Sequence, residues 1–543
     1  MRGLLHVHSR MSDGRGTLDE IAAAAARAGL QFLVVTDHGD GTRKPEPPSY
    51  RSGVLMIDAV EISTRDGHYL AIGLPQSPYP LGGAAADVVE DVRRLGGMGI
   101  AAHPDSPKNE LRWADWIPRI DGFELINPDT SWRVHAFSGG AGARWQLLRS
   151  LLAYPARPAE AIAQLLTASS ALRERWMAIA PERPLVAVAG ADAHAKLALR
   201  DTEPGDNSYS IPIPSYESSF GSLSVHVTPE RPFAGDAAAD ASALLTGLRN
   251  GHVYIAVDAW ATPPAFEFTA QGAAATTAGD SVPAGTPLTL RVRSNAPGGF
   301  TTTVWKGTQL LTERSETEFE VAVGGEPAVY SVEIRQPNNP EHPAWVTSNP
   351  IYVREPSSTA SGPVVQLPRD GRPLFDEQST NGWSFENDTT SLAVIDIAKM
   401  IEGTRLRLRY GLSGGSAVGQ YAAAAVETAQ GVEAADAIAF TVRAERPMRL
   451  AVQVRAEVAG APPERWERSV FVDTTENERL VRFDDMTPVG ITHVRAVPRG
   501  DVRAVMFVVD TTNTKPGSSG RVWLGNIRLV SLADSQVRTV RTR

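Results

Sequence analysis

Residues 4–14 read LLHVHSRMSDG. The apolar residues around His6 and His8 are typical of a strand, and side chains two residues apart point to the same face of a strand. We therefore expect this strand to end with two imidazoles side by side. A helix is predicted next, because Thr17 with Glu20 three residues later is a capping box.

Short apolar runs and helical patterns alternate from residue 1 to residue 258, which is the pattern of a βα architecture. Gly29 predicts the end of the first helix. The predicted strands are 4–8, 31–35, 54–60, 99–102, 122–126 and 185–189, and the predicted helices between the later ones are 84–95 and 158–179. We interpret residues 1–258 as one α/β domain, either a barrel or an open doubly wound sheet.

After Asp258 the sequence changes to short alternating strands separated by proline, glycine and threonine. Residues 259–354 are predicted to form a small Ig-like β-sandwich, 355–366 a Ser/Pro-rich linker, and 367–543 a larger jelly-roll-like β-sandwich. The predicted strands are 288–292, 301–305, 319–323, 330–334, 437–442, 450–454, 505–509 and 522–529.

Composition limits the class of protein. A chain of 543 residues with 42% hydrophobic residues is long enough for several domains, and a net charge of −9 gives no basic footprint for nucleic acid. Cysteine is absent, so any metal must be bound by nitrogen and oxygen. No run reaches the about 18 apolar residues of a membrane span. Because His6 leaves no room for a secretion signal, we expect a cytoplasmic protein, or a periplasmic or secreted one if its natural start lies upstream.

Nine of the 11 histidines lie at or before His252. All six predicted strands end in a polar group that can bind a metal or a substrate. In chain order these are His6 and His8, Asp37 and His38, Glu61, His103, Asn127, and Asp192 with His194. In a βα barrel such ends meet at one face, where active sites are built. The set therefore predicts a metal site, although a single strand-end histidine is more often structural.

These residues resemble the ordered motif set of the polymerase-and-histidinol-phosphatase (PHP) family. The matching motifs are His6-Val7-His8-Ser9, Ser12-Asp13-Gly14, Thr36-Asp37-His38, Glu61, His103-Pro104 and Asp192-Ala193-His194. The resemblance implies a distorted seven-stranded βα barrel and two or three divalent ions, commonly zinc, manganese or iron.

The resemblance also implies a role for each ligand. His6, His8, Glu61 and Asp192 would surround one ion, Glu61 would bridge to a second ion with His103, and Asp13, His38 and His194 would surround a third. Asn127 stands where the trinuclear members have histidine, and an amide oxygen is a weaker ligand for zinc-like ions. Two firmly bound ions are therefore expected rather than three.

The chemistry of such a site favours a small anionic or polar substrate, since two or three divalent ions outweigh the three carboxylates Asp13, Glu61 and Asp192. Adjacent ions activate a bridging hydroxide and suit hydrolysis of a phosphate ester. His68, His135 and Asp192 are candidate proton donors to the leaving group. Arg112, Arg133 and Lys196 are candidate phosphate ligands, although no spacing distinguishes them from ordinary surface residues.

The β modules carry weaker signals. The stretch Thr347-Ser348-Asn349-Pro350-Ile351-Tyr352-Val353 resembles the small sandwich that follows the catalytic domain in exported PHP-like hydrolases. The last module loosely resembles carbohydrate-binding jelly rolls, which makes a carbohydrate a possible partner there. Trp383 could stack on a sugar, but a tryptophan in a β-sandwich is more often a core residue.

Three functions follow from these observations. The first is a metal-dependent phosphoesterase acting on a small phosphorylated molecule. The second uses the same ions to hydrolyse a carbamate or carboxylic ester, because an activated water attacks a carbonyl as well as a phosphorus atom. The third is a non-catalytic binding protein whose β modules bind carbohydrate.

Overall fold

The computed structural model describes residues 1–198, 208, 210–261, 264–272, 275–337, 339, 341–355, 368, 370–401, 403–415 and 419–532. The chain divides into two compact units, one of residues 1–76 and 88–358 and the other of residues 77–87 and 359–543. All but the first residue of the predicted linker 355–366 lie outside the described residues. Within the described chain, no helix is long and apolar enough to span a bilayer.

Residues 1–258 contain a mixture of strands and helices. The strands are β1 (Arg2–Val7), β2 (Phe32–Val35), β3 (Ser49–Arg51), β4 (Val54–Asp58), β5 (Val60–Thr64), β6 (Gly67–Ile72), β7 (Met98–Ala101), β8 (Gly122–Ile126), β9 (Val186–Ala193), β10 (Leu197–Ala198), β11 (Ser210–Ile211), β12 (Ser224–Val227) and β13 (Val253–Ala256). The helices are α1 (Leu18–Arg27), α2 (Ala85–Arg94), α3 (Pro128–Arg133), α4 (Ala141–Ala153), α5 (Pro158–Ala163), α6 (Ser170–Ile179), α7 (Tyr216–Ser222) and α8 (Ala237–Arg249), with a π-helix at Val134–Ser138.

These strands belong to a closed barrel, except β10 and β11, which pair with each other in a separate sheet. Parallel pairing runs through β7, β8, β9, β1, β2 and β4, as expected for βα units. The bridge between His38 and Glu61 joins the end of β2 to β5. Two details differ from the sequence prediction. The run 54–60 is two strands, because β4 pairs with β2 while β5 turns into an antiparallel hairpin with β6. The helix 158–179 is two helices, because Ser169 caps α6.

The predicted capping box at the start of α1 is confirmed. The Thr17 hydroxyl accepts the Glu20 N–H, and the Glu20 carboxylate accepts the Thr17 N–H. The helix ends at Ala28, and Gly29 follows with a φ of 75°, a conformation that favours glycine. This cap fixes the chain between the first two strands, whose ends carry His6, His8 and His38.

Residues 259–354 add β-sandwich strands to the first unit. These are β14 (Phe266–Gln271), β15 (Ala275–Thr277), β16 (Ser281–Pro283), β17 (Leu288–Ser294), β18 (Thr301–Lys306), β19 (Gln309–Arg314), β20 (Glu318–Val323), β21 (Ala328–Arg335), β22 (Val346–Ser348) and β23 (Ile351–Arg354). One sheet has the order β15-β14-β17-β20, and a core that includes Tyr330 and Trp345 packs against it. Strand β22 pairs with β13, so hydrogen bonding continues from the barrel into this sandwich.

The side chain of Asn349 hydrogen-bonds to the barrel sheet. Its buried amide oxygen accepts the Ala187 N–H at 2.9 Å, and its amide nitrogen donates to the carbonyls of Ala187 and Val253 at 2.9 and 3.0 Å. One side chain therefore satisfies three backbone groups on two barrel strands. The contacts explain why an asparagine stands in the stretch 347–353.

The second unit is a two-sheet β-sandwich. Its strands are β24 (Arg372–Pro373), β25 (Trp383–Asn387), β26 (Leu392–Met400), β27 (Gly403–Gly411), β28 (Tyr421–Glu427), β29 (Ala437–Ala444), β30 (Met448–Ala456), β31 (Glu464–Val472), β32 (Asn477–Arg482), β33 (Thr487–Pro488), β34 (Val502–Asp510) and β35 (Ser519–Val530). The sheet orders are β26-β27-β35-β29-β32, with β24 on β35, and β25-β28-β34-β30-β31-β33. Trp383 is buried in the core and donates to the Leu374 carbonyl at 3.0 Å, so the expectation that it is a core residue is confirmed.

Substitution Asn349→Ala is expected to destabilise the first unit by about 2–4 kcal/mol, because it removes three buried hydrogen bonds and takes the side-chain partner from the N–H and carbonyl of Ala187, while the Val253 carbonyl keeps the Asn349 backbone N–H. Thermal unfolding followed by circular dichroism measures the change. The exposed Asn250→Ala variant is the matched control and should unfold close to the parent protein. Equal unfolding temperatures for the two variants would contradict the role given to Asn349.

Candidate metal centre

Nine histidine and carboxylate side chains converge at the ends of the barrel strands. They form four overlapping groups in which the possible ligand atoms lie within 4.8 Å of one another: His8, Asp13, His38 and His194; His6, His8 and Glu61; His6, His103 and Asp192; and His38, Glu61 and His68. Eight of the nine predicted ligands are in these groups, and His68 is the additional member. The convergence follows from the parallel pairing, which brings successive strand ends to one edge.

Four atoms from buried side chains face one another at the centre of the cluster. Glu61 Oε2 lies 3.3 Å from His6 Nε2 and 3.2 Å from His8 Nε2, and Asp192 Oδ1 lies 3.4 and 3.5 Å from the same two nitrogens. Ligands about 2.0–2.1 Å from a tetrahedral ion are separated by about 3.3 Å, so the spacing matches such an ion. Among the described residues, His6 Nε2, His8 Nε2 and Glu61 Oε2 are buried without a hydrogen-bond partner. A cation between them would satisfy all three atoms.

The other oxygen of Glu61 faces a different pair of imidazoles. Glu61 Oε1 lies 2.8 Å from His68 Nδ1 and 3.1 Å from His103 Nε2. A carboxylate whose two oxygens face separate sets of ligands is arranged to bridge two cations. His68 could therefore contribute to a metal site together with Glu61, and its predicted role as a proton donor stays a prediction.

Asp13 organises a third set. Its Oδ2 lies 3.1 Å from His194 Nε2, and its Oδ1 lies 3.8 Å from His38 Nε2 and 3.5 Å from His8 Nδ1. Asp13, His38 and His194 are more exposed than His6, His8 and Glu61. The loop that carries Asp13 is fixed by Asp37, whose carboxylate accepts the Ser9 N–H and the hydroxyls of Ser9 and Ser12 at 2.6–2.8 Å.

Glu124 supports the cluster from outside, and the sequence reasoning missed it. Its Oε1 lies 2.6 Å from His6 Nδ1, and its Oε2 accepts the His103 N–H at 2.6 Å. A carboxylate on the far nitrogen of an imidazole fixes the orientation of the ring and makes it a better ligand. Gly190 leaves the space that Glu124 occupies, since a Cβ there would lie 1.7 Å from Glu124 Oε1. The sequence does contain a signal for Glu124, since it is a charged residue inside the otherwise apolar strand 122–126.

The backbone is unusual at three residues of the cluster. His6, His103 and Asp192 have φ angles of 65°, 29° and 46°, in the left-handed region that non-glycine residues rarely adopt. Asp192 lies inside β9, which extends four residues beyond the predicted strand and bends there. Such conformations persist only where surrounding contacts enforce them, and they concentrate at functional sites.

Without a metal, the charges of the cluster compensate one another. Burial alone would lower the pKa of His8, but contacts with Asp192 and Glu61 raise it to about 10. Burial alone would raise the pKa of Glu61, but the neighbouring His6 and His103 hold it well below its usual range. The pKa of Asp192 is likewise lowered against burial, first by His6. The carboxylates therefore remain charged and available to a cation.

Asn127 has a capping role in the structure. Its amide oxygen accepts the Thr130 N–H at 2.9 Å at the start of α3, and its amide nitrogen donates to Glu124 Oε2 at 2.8 Å. Metal binding by Asn127 stays a prediction.

The remaining predicted residues lie at varied positions. The imidazole of His135 is buried and hydrogen-bonds to the Leu165 carbonyl at 3.0 Å, and His135 belongs to none of the four groups. Arg112 is exposed and donates to Asn109 at 2.6 Å. Arg133 pairs with Asp129; burial lowers its pKa, but Asp129 and Asp192 together hold it above its usual value. Lys196 is half-buried two residues after His194. Their catalytic and substrate-binding roles stay predictions.

Substitution Glu124→Gln is expected to weaken metal binding by about 10–100-fold, as is typical for outer carboxylates of metal sites, because it removes the charge that orients His6. Titration of the metal-free protein with Zn²⁺ or Mn²⁺ in a calorimeter measures the change. The exposed Glu110→Gln variant is the control. Unchanged affinity in the Glu124 variant would show that the carboxylate acts only in folding.

The metal-free protein is expected to lose stability as the pH rises from about 6.5 toward 10. The folded pKa of His8 lies above its unfolded value, so the proton contributes stability below the unfolded pKa and that contribution is lost as the pH approaches 10. Unfolding temperatures across this range, with chelator and with added metal, test the prediction. With metal bound, stability should instead increase as the pH rises, because a ligand imidazole must be neutral. An unfolding temperature of the metal-free protein that does not change with pH would contradict the prediction.

Two curated relatives match short stretches of the chain, and no protein-family model matches it. An uncharacterised protein of Methanocaldococcus jannaschii is 28% identical over 144 residues, covering 23% of this chain and 82% of that protein. A phosphoribosyl 1,2-cyclic phosphate 1,2-diphosphodiesterase of Eggerthella lenta is 30% identical over 94 residues, covering 16% of this chain and only 36% of that enzyme. The second relative is a distant phosphodiesterase, and the resemblance to PHP proteins is only weakly supported.

Solved structures with β-sandwich folds also match part of the chain. A family 11 carbohydrate-binding module from Clostridium thermocellum is 13% identical with a TM-score of 0.26, covering 29% of this chain and 94% of that module. A family 30 module from the same organism is 12% identical with a TM-score of 0.22, covering 28% of this chain and 93% of that module. Scores this low carry no argument about function, and the β-sandwich described above stands on its strand pairing.

Proposed function

We propose that this protein is a metal-dependent phosphoesterase whose active site is the cluster around Glu61. The observation that carries the proposal is the set of four atoms from His6, His8, Glu61 and Asp192, spaced 3.2–3.5 Å apart and mostly without hydrogen-bond partners. Ordinary structural histidines and carboxylates satisfy each other with hydrogen bonds.

Two or three divalent ions fit the residues present. His6, His8, Glu61 and Asp192 would bind the first ion, and Glu61, His68 and His103 the second. The third set is Asp13, His38 and His194. Nitrogen and carboxylate oxygen are suitable ligands for zinc, manganese and iron. When bound, adjacent divalent ions activate water near neutral pH and stabilise the charge that develops in phosphoryl transfer.

The protein side chains provide orientation and substrate binding. Glu124 fixes the ring of His6, and Asp37 fixes the loop that carries Asp13. Arg133 is kept as the candidate ligand for an anionic oxygen of the substrate, since it carries a guanidinium whose nearest acidic partner is Asp129 and which also interacts with the charge of Asp192. His68 lies against the Glu61 oxygen of the second ion, and His68 and His135 remain the candidates for proton donation.

The choice of a phosphate ester rests on charge and on one relative. Two or three divalent ions give the filled site a net positive charge, which attracts an anionic substrate. The diphosphodiesterase of Eggerthella lenta acts on a phosphoribosyl cyclic phosphate, and its similarity to 94 residues of this chain favours the same class of bond. Its own substrate is not transferred to this chain, because the match spans about a third of that enzyme.

Substitution Asp192→Asn is expected to lower phosphoesterase turnover by more than about 100-fold, because it removes a ligand charge of the first ion. Loss of a residue that only supports a ligand typically costs up to about 100-fold. The assay uses the full chain, stripped with chelator and reloaded with Zn²⁺ or Mn²⁺, on aryl phosphomonoesters and phosphodiesters. The exposed Asp19→Asn variant is the control.

Aryl carbamates and carboxylic esters in the same assay separate the two hydrolase hypotheses. If the protein hydrolyses only carbamates or carboxylic esters and no phosphate ester, the phosphoesterase proposal is wrong and the second hypothesis replaces it. Failure of the reloaded protein to hydrolyse any of the four classes would refute both.

A further inference from the structure

Residues 130–159 have an unusual charge pattern. This stretch of 30 residues contains four arginines and no aspartate or glutamate, although the whole chain has a net charge of −9. Helix α4 lies in its middle and reads AGARWQLLRSLLA. The positive charge is therefore local, and the rest of the chain does not share it.

The faces of α4 are inverted relative to an ordinary surface helix. Its polar side chains face the protein: Ser150 donates to the Ala161 carbonyl and Gln146 to the Gln164 carbonyl, both at 2.6 Å. Its apolar side chains face outward. The exposed fractions are 60% for Trp145, 45% for Leu148, 48% for Leu151 and 72% for Leu152, and Phe137 of the preceding π-helix is 64% exposed.

These exposed residues form one patch. Trp145, Leu148 and Leu152 have the i, i+3, i+7 spacing of a single helix face. Arg144 and Arg149 are exposed on the same helix, and the described part of the chain provides no ion pair for either. Soluble proteins seldom leave a contiguous apolar patch uncovered unless it contacts something.

The chemistry of the patch identifies what covers it. Tryptophan and leucine beside arginines, on a helix without acidic residues, is the composition of helices that lie in the interface of anionic membranes. A twofold contact with a second copy would place Arg144 and Arg149 of both copies in one interface, and α4 has no acidic side chain to pair with them. Charge complementarity therefore favours an anionic lipid surface.

We propose that Phe137 and the outer face of α4 form a docking surface for anionic lipid bilayers. Trp145, Leu148 and Leu152 insert below the headgroups, and Arg144 and Arg149 bind lipid phosphates. The interaction is peripheral and reversible, since one short helix buries little area. It does not depend on the metal centre or on the reaction proposed above.

The test is sedimentation of the full-length protein with vesicles of phosphatidylcholine, with and without phosphatidylglycerol. We expect binding only to the anionic vesicles, and weaker binding at high salt, which screens the arginines. The variant Trp145→Ser/Leu148→Ser/Leu152→Ser should bind at least about tenfold more weakly than the parent protein. The variant Arg144→Gln/Arg149→Gln should lose about fivefold in affinity for each charge that is removed.

The matched control is Leu310→Ser/Leu392→Ser/Ile401→Ser, which removes three exposed apolar side chains elsewhere, with exposed fractions of 56%, 72% and 101%. It should bind like the parent protein, and circular dichroism should show that all variants fold. The proposal is overturned if the parent protein does not bind anionic vesicles, or if the control loses binding as much as the α4 variant. It is also overturned if the parent is a dimer that the α4 substitutions dissociate and that does not bind vesicles.

Discussion

The buried carboxylate of Glu61 is the constraint on which the site depends. A buried negative charge is unfavourable unless opposite charges or hydrogen-bond donors surround it. Glu61 has imidazoles on both oxygens, from His6 and His8 on one side and from His68 and His103 on the other. Protons on the imidazoles, or cations between the ligand atoms, can provide the compensating charge. The same geometry therefore suits a protonated metal-free state and a deprotonated metal-bound state, and metal binding should release protons.

Several residues that are not candidate ligands support the positions of the ligand side chains. Glu124 orients His6, and Gly190 is small enough to leave room for Glu124. Gly14 has a similar function, because a Cβ at that position would lie 2.2 Å from the His8 carbonyl oxygen. Tyr216 donates to the same carbonyl at 2.6 Å. The positions of His6 and His8 are therefore supported by residues on several elements, and Glu124 and Tyr216 are far from them in the sequence.

Much of this arrangement could be predicted from the sequence because parallel strands bring their ends together. Once six strand ends carried polar groups, their convergence required only that the strands pair in parallel. The hairpin between β5 and β6 was not predicted, because residues 54–60 are apolar except for Asp58 and the break at Ala59 depends on tertiary pairing. His68 lies on that hairpin, so its position facing Glu61 could not be inferred.

Glu124 and Asn127 show a second limit of sequence reasoning. Spacing alone favoured Asn127, which directly follows β8, over Glu124, which lies in the middle of that strand. The structure places the Glu124 carboxylate on His6 and His103, while the Asn127 oxygen caps α3. Which of two neighbouring polar residues faces a site depends on side-chain direction, and a register shift between Glu124 and Ile126 changes that direction.

The two positions around Glu61 differ in charge. The first combines two carboxylates, Glu61 and Asp192, with two imidazoles, whereas the second combines one carboxylate oxygen with the imidazoles of His68 and His103. Each carboxylate adds a full negative charge opposite a divalent cation, and an amide oxygen such as that of Asn127 is a weaker substitute. The Asn127 oxygen is in addition already bonded to the Thr130 N–H. We therefore expect one tightly bound ion beside a more exchangeable one, with Glu61 as the ligand they share.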